Sequence, residues 1–193
     1  MERSKEERRL ALEALNHPPP PALFAEPLNY FFAEHFRQRT LCSLLDDLAE
    51  HAPPDPDIVS AITAFLRGDF GLHVRDEEED LFPLLRRRAR PEDRIGDVLG
   101  DLSHDHALDA FDAESILEAF RGHEPFPACD VETRNLLLRF SKNERRHLTC
   151  ENAIILPLAR ARLLPEDLIN LGRRMAARHG EPYPEPENAD RSS

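Results

Sequence analysis

Apolar side chains recur every three to four residues in four long stretches of the chain, which is the period of an α-helix with one buried face. Polar and charged residues occupy the positions between them, and proline or glycine clusters separate the stretches. The pattern therefore predicts four long amphipathic helices, at residues 26–52, 55–84, 91–122 and 130–158.

Shorter segments flank these helices. Residues 3–16 have an apolar side and are followed by four consecutive prolines, and Pro165 to Gly180 reads as a last short helix. The end of the chain is proline-rich and polar, so we expect it to be disordered. The predicted organisation is an N-terminal arm or short helix with a Pro-rich linker (1–25), a helical bundle (26–160), a short helix packed on the bundle (161–180) and a disordered tail (181–193).

Four long helices joined by short connections predict an all-α fold, an up-down-up-down four-helix bundle with a short extra helix at each end. The composition agrees, because the chain has only 7 Gly and 2 Tyr and lacks Trp, and its apolar residues are mostly Leu and Ala. Pro83 and Pro157 fall late in the second and fourth helices, where each removes a backbone hydrogen bond. We expect a kink or an early break there.

The formal net charge of −12 argues against nucleic acid as a partner, since phosphate binding depends on Lys and Arg. The chain has no secretory segment and no apolar run of membrane-spanning length, so we expect a soluble, cytoplasmic protein with no membrane partner. Three widely spaced cysteines predict neither a disulfide framework nor a cysteine zinc site. A homodimer or another protein partner is left open.

One short motif occurs twice in register. His73 is followed four residues later by Glu77 and then by Leu-Phe-Pro-Leu, and His147 is followed by Glu151 and then by Ile-Leu-Pro-Leu. A spacing of four leaves two side chains about 40° apart around a helix, on the same face. A single pair of this kind would be read as a solvated ion pair, but the repetition favours a shared function.

The first and third helices each add an acid followed directly by a histidine, Glu34-His35 and Asp105-His106. The chain thus reads as two similar helical hairpins, each offering one His and then a His and a Glu. Antiparallel packing would bring six groups to one level of the core: His35, His73, Glu77, His106, His147 and Glu151.

Four imidazoles and two carboxylates are too many for one tetrahedral zinc ion and lack the thiolates of structural zinc sites. They suit a two-metal centre in which Glu77 and Glu151 bridge ions about 3.5–4 Å apart and each ion also receives two histidines. This ligand set suits two iron ions, with manganese or zinc as substitutes. Open coordination positions would indicate chemistry with a small diatomic molecule or peroxide.

This arrangement, together with Asn152 after Glu151 and the two proline-containing endings, resembles the hemerythrin-like (HHE cation-binding) family over residues 26–160. The resemblance implies a four-helix bundle around a non-haem di-iron centre. It also implies that the four histidines are terminal iron ligands and the two glutamates bridges.

The chain departs from the oxygen-carrying members of that family. Those proteins have a second His four residues after the first in the third helix, where this chain has Ala110, and their late carboxylate is Asp rather than Glu. The two Glu bridges resemble the bacterial iron-cluster repair and sensor members, although the cysteine-containing amino-terminal segment of the repair proteins is missing here. The resemblance therefore does not imply reversible oxygen carriage or that repair activity.

Other histidines and acids compete for roles near these residues. His104 lies about 200° around the helix from His106, off the apolar face, so we prefer His106 as the ligand. Glu144 precedes His147 with the spacing of ferritin-like proteins, but the second helix lacks a matching acid, which excludes that family. We expect Glu144 to be a surface acid or a support for a ligand, Glu34 and Asp105 to be solvated, and four further histidines to be exposed: His17, His51, His123 and His179.

Three functional hypotheses follow. The first is a di-iron protein that binds or senses oxygen, nitric oxide or peroxide, and it is more a metal- and gas-binding protein than a dedicated enzyme. The second is a di-iron oxidase or peroxidase, or an iron-handling or nitrosative-stress repair protein. The third is a metal-free helical interaction module in which the histidines and glutamates form a buried polar network.

Overall fold

The computed structural model describes residues 4–51, 53–122 and 129–184, and these ranges hold nine α-helices and no strand. The prediction of an all-α bundle is confirmed. The helices, in chain order, are α1 (Lys5–Asn16), α2 (Pro27–Glu50), α3 (Pro56–Arg67), α4 (Asp69–Asp76), α5 (Phe82–Arg88), α6 (Ile95–Ala119), α7 (Val131–Cys150), α8 (Leu156–Arg162) and α9 (Pro165–His179).

These helices form four bundle members. The first is α2, the second is the run from α3 to α5, the third is α6, and the fourth is α7 continued by α8. Helix α7 packs against both α2 and α6, and α3 also packs against these two helices. The short helices lie on this frame, α1 against α2 and α3, and α9 against α2 and α4. We propose residues 26–160 as the bundle proper, with α1 and α9 added to it.

Helix ends follow the local signals in the sequence. The carboxylate of Asp55 accepts hydrogen bonds from the N–H groups of Asp57 and Ile58 at the start of α3. Asp130 accepts one from Thr133 at the start of α7. Helix α9 ends at Gly180, whose φ of 73° is left-handed and suits glycine. The second predicted helix differs from expectation, because it is interrupted at Gly68 between α3 and α4.

Two apolar cores lie along the bundle. The first contains Leu41, Ile62 and Phe140, and the second contains Phe31, Leu81 and Ile155. Along α2, residues of the second core precede His35 and residues of the first core follow it. Each of His73, His106 and His147 likewise has one core before it and the other core after it along its bundle member. The histidines therefore occupy a polar layer between two cores that pack on their own.

Helix α9 is held by buried ion pairs. The guanidinium of Arg178 donates to Asp76 and, at 2.8 Å, to Asp80, and both carboxylates are at least 98% buried. His179 contacts Asp76 at 2.7 Å, and Arg174 donates to Asp80 at 2.6 Å. The expectation that His179 is exposed is therefore wrong, because the pairing with Asp76 draws it against α4. His123 lies outside the described residues.

Helix α9 approaches the turn at Pro21–Ala25 closely at Gly172. A Cβ atom there would lie 1.9 Å from the carbonyl oxygen of Phe24. We predict that Gly172→Ala lowers the free energy of unfolding by about 1–3 kcal/mol, because the backbone must move to relieve the overlap. Gly100→Ala is the control, since nothing lies within 4 Å of its Cβ position, and it should stabilise α6 by about 0.5–1 kcal/mol. Urea unfolding would measure both changes, and an unchanged midpoint for Gly172→Ala would contradict the prediction.

The tail predicted over residues 181–193 lies outside the described residues from position 185 onward. Before that point, Tyr183 packs under the guanidinium of Arg173, whose central carbon is 5.3 Å from the ring centroid. Across the part of the chain that the structure describes, no helix combines the length and the apolar character needed to cross a membrane.

Candidate metal centre

The structure brings all six predicted site residues together in two overlapping groups. One group is His35, His73, Glu77 and Glu151, and the other is Glu77, His106, His147 and Glu151. Within each group the candidate ligand atoms lie within 4.8 Å of one another. We call the pair His35–His73 with the two glutamates the first half-site and the pair His106–His147 with the same glutamates the second half-site. The glutamates are common to both.

Distances between the imidazole Nε2 atoms and the glutamate oxygens define the layer. His35 Nε2 lies 3.4 Å from Glu151 and 3.8 Å from Glu77, so it faces both carboxylates. His73 and His106 lie 3.4 and 3.2 Å from Glu77, and His147 lies 3.0 Å from Glu151. Each carboxylate therefore faces at least two imidazoles from different helices.

The side chains fit a metal ion because most of their inward-facing atoms have no hydrogen-bond partner. Both oxygens of Glu77 and of Glu151 are buried without a hydrogen bond among the described residues, as are Nε2 of His35, His106 and His147. A buried polar atom without a partner costs about 1–3 kcal/mol. A cation coordinated by these atoms would remove that cost, so the layer has the donor chemistry of a metal site.

Two residues outside the six fix the orientation of one imidazole in each half-site. Nδ1 of His35 lies 3.2 Å from Oδ1 of Asn152, and Nδ1 of His106 lies 2.7 Å from Oε1 of Glu78. An Nδ1–H that donates outward leaves the Nε2 lone pair facing the two glutamates, where it could bind a metal ion. In the sequence, the feature that marks Glu78 and Asn152 is their position directly after a shared glutamate.

A π turn begins at each shared glutamate. The N–H of Phe82 donates to the carbonyl of Glu77 five residues earlier, and Leu156 donates to Glu151 in the same way. The following residues are Pro83 and Pro157, whose rings would crowd the carbonyl four positions back in a regular α-helix. The expected kink or break is thus replaced by a widened turn, and the helix continues beyond it. Such turns are frequent at functional sites.

Burial and the neighbouring carboxylates shift the pKa values of the site in opposite directions. Burial lowers the pKa of His106, but the Glu77 carboxylate, 3.2 Å from its Nε2, outweighs it and raises the pKa to about 9. Burial also lowers the pKa of His147, but the negative charge of Glu151 outweighs it and raises the pKa to about 10. The pKa of His73 falls well below its usual range because its burial is the largest influence. Without metal, His106 and His147 are therefore protonated at neutral pH.

Metal binding should consequently release protons. We predict that loading the protein at pH 7.5 expels at least about two protons per chain, because only neutral imidazole is a ligand. His106 and His147 supply two of them, and His35 adds to the release, since Glu77 and Glu151 raise its pKa despite its burial. The apparent affinity should rise by at least about two log units per pH unit and level off above about pH 10. Calorimetric titration with Mn²⁺ in two buffers of different ionisation enthalpy measures the proton count. A binding heat independent of the buffer would contradict it.

The same shifts have the opposite effect on the metal-free chain. Because the pKa values of His106 and His147 are raised by folding, their contribution to stability is full below the unfolded pKa of about 6.5. It is lost as pH rises through about 9 to 10. The metal-free protein should thus become less stable over the range in which metal binds more tightly.

Two buried acids lie beside the second half-site, and one of them, Asp109, was not among the residues predicted from the sequence. Asp109 follows His106 by three residues and Glu144 precedes His147 by three, so each lies one turn from a site histidine toward the first core. Burial raises the pKa of Glu144 to about 8 and that of Asp109 to about 6. The expectation of a surface acid at Glu144 is wrong, while a supporting position is consistent with its place. Their spacing from the histidines was the only signal in the sequence.

The remaining candidates lie outside the layer. His104 and Ala110 are exposed on α6, so the position of the missing second histidine faces solvent. Glu34 is buried rather than solvated, because the equally buried Arg37 donates to it at 2.9 Å. Asp105 is half-buried and accepts from Arg146 at 2.9 Å. All three cysteines, each within the described ranges, are free.

Comparison with known proteins identifies the family. The family model for the hemerythrin HHE cation-binding domain matches residues 26–159, which cover more than two thirds of the chain. No curated protein matches. The matched region contains both half-sites and both π turns, and the His and Glu groups can hold a metal ion. The chain therefore belongs to the hemerythrin HHE cation-binding domain family, whose domain binds metal ions.

Proposed function

We propose that the chain is a non-haem di-iron protein that binds or senses oxygen, nitric oxide or peroxide. The observation that carries the proposal is the sharing of Glu77 and Glu151 between two groups that each add two histidines. Two carboxylates common to two half-sites are the arrangement needed to hold two ions a few ångströms apart. Bound iron would supply redox chemistry and an open coordination position for a small ligand.

The six side chains of the two half-sites are few for two iron ions, since each ion commonly has five or six coordinating atoms. With both carboxylates shared, each half-site offers two histidine nitrogens and two carboxylate oxygens, so positions remain for an exogenous ligand. The second half-site gains no further imidazole from α6, since Ala110 faces outward. These features support the binding of a small molecule at the metal. The four imidazoles favour iron, which binds imidazole well, over magnesium or calcium, which prefer oxygen ligands.

The test is metal loading under anaerobic conditions. The purified protein given ferrous iron should hold about two ions per chain and develop the near-ultraviolet absorption of an oxo-bridged di-iron unit in air. Addition of nitric oxide to the ferrous form, in a separate sample, tests gas binding directly. Normal folding with no uptake of iron would contradict the proposal and favour a metal-free helical interaction module.

A second candidate, a di-iron oxidase or peroxidase, is favoured by one observation. Glu144, with a pKa raised to about 8, is protonated at neutral pH and electrostatically coupled to His147 and His106. A buried, protonated carboxylic acid beside the second half-site would supply a proton for oxidase or peroxidase chemistry at a metal bound there. Steady-state consumption of peroxide with a chemical reductant separates this activity from stoichiometric binding. Glu144→Gln should then slow turnover without changing the iron content.

A further inference from the structure

In each half-site, the Nδ1 atom of one histidine, on the side of the ring away from the glutamates, is hydrogen-bonded to a residue of the other helical hairpin. Glu78, directly after Glu77, holds His106 of the second half-site, and Asn152, directly after Glu151, holds His35 of the first. The two contacts are equivalent by position in the repeated motif. They differ in chemistry, because one acceptor is a carboxylate and the other is an amide.

Neighbouring contacts keep that difference in place. Ser103 donates its hydroxyl to Glu78 at 3.0 Å, which holds the carboxylate toward His106. The amide nitrogen of Asn152 donates to the carbonyl of Leu148 at 2.8 Å, so its oxygen faces His35. The carboxylate is therefore positioned on one half-site and the neutral amide on the other.

The other two histidines extend the asymmetry. Nδ1 of His147 lies 3.9 Å from a carboxylate oxygen of Asp105. Nδ1 of His73 has no hydrogen-bond partner among the described residues, and its ring meets those of Phe31 and His35 edge to face. The second half-site thus has one carboxylate hydrogen-bonded to His106 and another 3.9 Å from His147, whereas the first half-site has an amide and an aromatic ring.

We propose that the two ions load in a fixed order, the second half-site first, and that Glu78 is the positioning residue that sets this order. The inference rests on the proposed two-metal function and adds to it an inequivalence of the two ions. A carboxylate that accepts from Nδ1–H makes the imidazole a more basic ligand and holds its tautomer ready, whereas an amide does so less strongly. The added negative charge also attracts the first dication, before the shared glutamates are neutralised.

The experiment isolates each half-site and titrates the metal-free protein with Co²⁺, whose visible absorption reports its coordination. His35→Ala retains the second half-site, and His147→Ala retains the first. We expect His35→Ala to bind Co²⁺ at least about tenfold more tightly than His147→Ala. Adding Glu78→Gln should weaken binding about tenfold in the His35→Ala protein and leave the His147→Ala protein unchanged.

The parent chain provides a measurement that does not depend on the histidine variants. There, Glu78→Gln should weaken the first step of a two-step Co²⁺ titration and leave the second step unaltered, whereas Asn152→Ala should weaken only the second. Equal affinities of the two isolated half-sites, or equal weakening of both by Glu78→Gln, would overturn the order but leave the two-metal function standing. Binding of fewer than two ions by the parent chain would overturn both.

Discussion

Glu151→Ala should abolish binding of both metal ions while leaving the helix content near that of the parent protein. Glu151 belongs to both half-sites, so its removal takes one oxygen ligand from each of them. Loss of a supporting group typically costs 10–100-fold in metal affinity, and loss of a shared ligand should cost more than about 100-fold. Glu77→Ala should behave in the same way, since Glu77 is shared in the same manner.

Single-histidine variants sharpen this prediction. His73 belongs to one half-site, so His73→Ala should lower the stoichiometry to about one ion per chain and spare the other position. Metal analysis after gel filtration, with circular dichroism for helix content, measures both outcomes. Glu114→Ala, on the exposed side of α6, is the control and should bind as the parent does. If Glu151→Ala and His73→Ala lost the same single ion, the glutamates would not be shared.

The fold should survive these changes because the metal layer lies between two cores. Fully buried side chains such as Leu44 and Ile62 on one side, and Phe82 and Leu99 on the other, do not contribute metal ligands. Burial of each such side chain contributes about 1.5–3 kcal/mol. A variant that loses the metal therefore keeps most of the apolar packing that stabilises the bundle.

Arg178→Ala should lower the free energy of unfolding by about 3 kcal/mol, the largest effect expected outside the metal layer. The guanidinium pairs with Asp76 and Asp80, both almost fully buried, and its removal leaves these charges undercompensated. The estimate lies at the low end of the cost of breaking a buried ion pair, because His179 and Arg174 still contact the two carboxylates. The melting temperature should fall by about 6–12 °C.

Two further variants serve as comparisons for the stability of Arg178→Ala. Arg178→Lys keeps the charge but not the two-pronged geometry, so it should recover part of the lost stability. Arg121→Ala removes an ion pair with Glu118 in which both side chains are about two-thirds exposed, and it should change stability by less than about 1 kcal/mol. Thermal unfolding of the metal-free proteins provides the comparison. An Arg178→Ala melting temperature equal to that of Arg121→Ala would show that α9 is not held by these pairs.

The bundle helices were predictable because their signals are local. Apolar spacing, the capping acids at Asp55 and Asp130 and the stop at Gly180 each involve residues within a turn or two of one another. The interruption at Gly68 and the form of the turns before Pro83 and Pro157 were less predictable. A proline indicates that an α-helical hydrogen bond is missing, but packing decides whether the chain breaks or widens its turn.

The sequence by itself determined which residues share a helix face, and the doubled His-xxx-Glu motif therefore pointed to the six residues that meet in the core. Tertiary structure decided which faces meet and which charges are buried. Arg178 and Asp76 are 102 positions apart, and the burial of Asp109 and Glu144 follows from the packing of α6 and α7 in the bundle. The reason is physical: helical periodicity depends on near neighbours, whereas the cost of a buried charge depends on partners that only the packed bundle brings together.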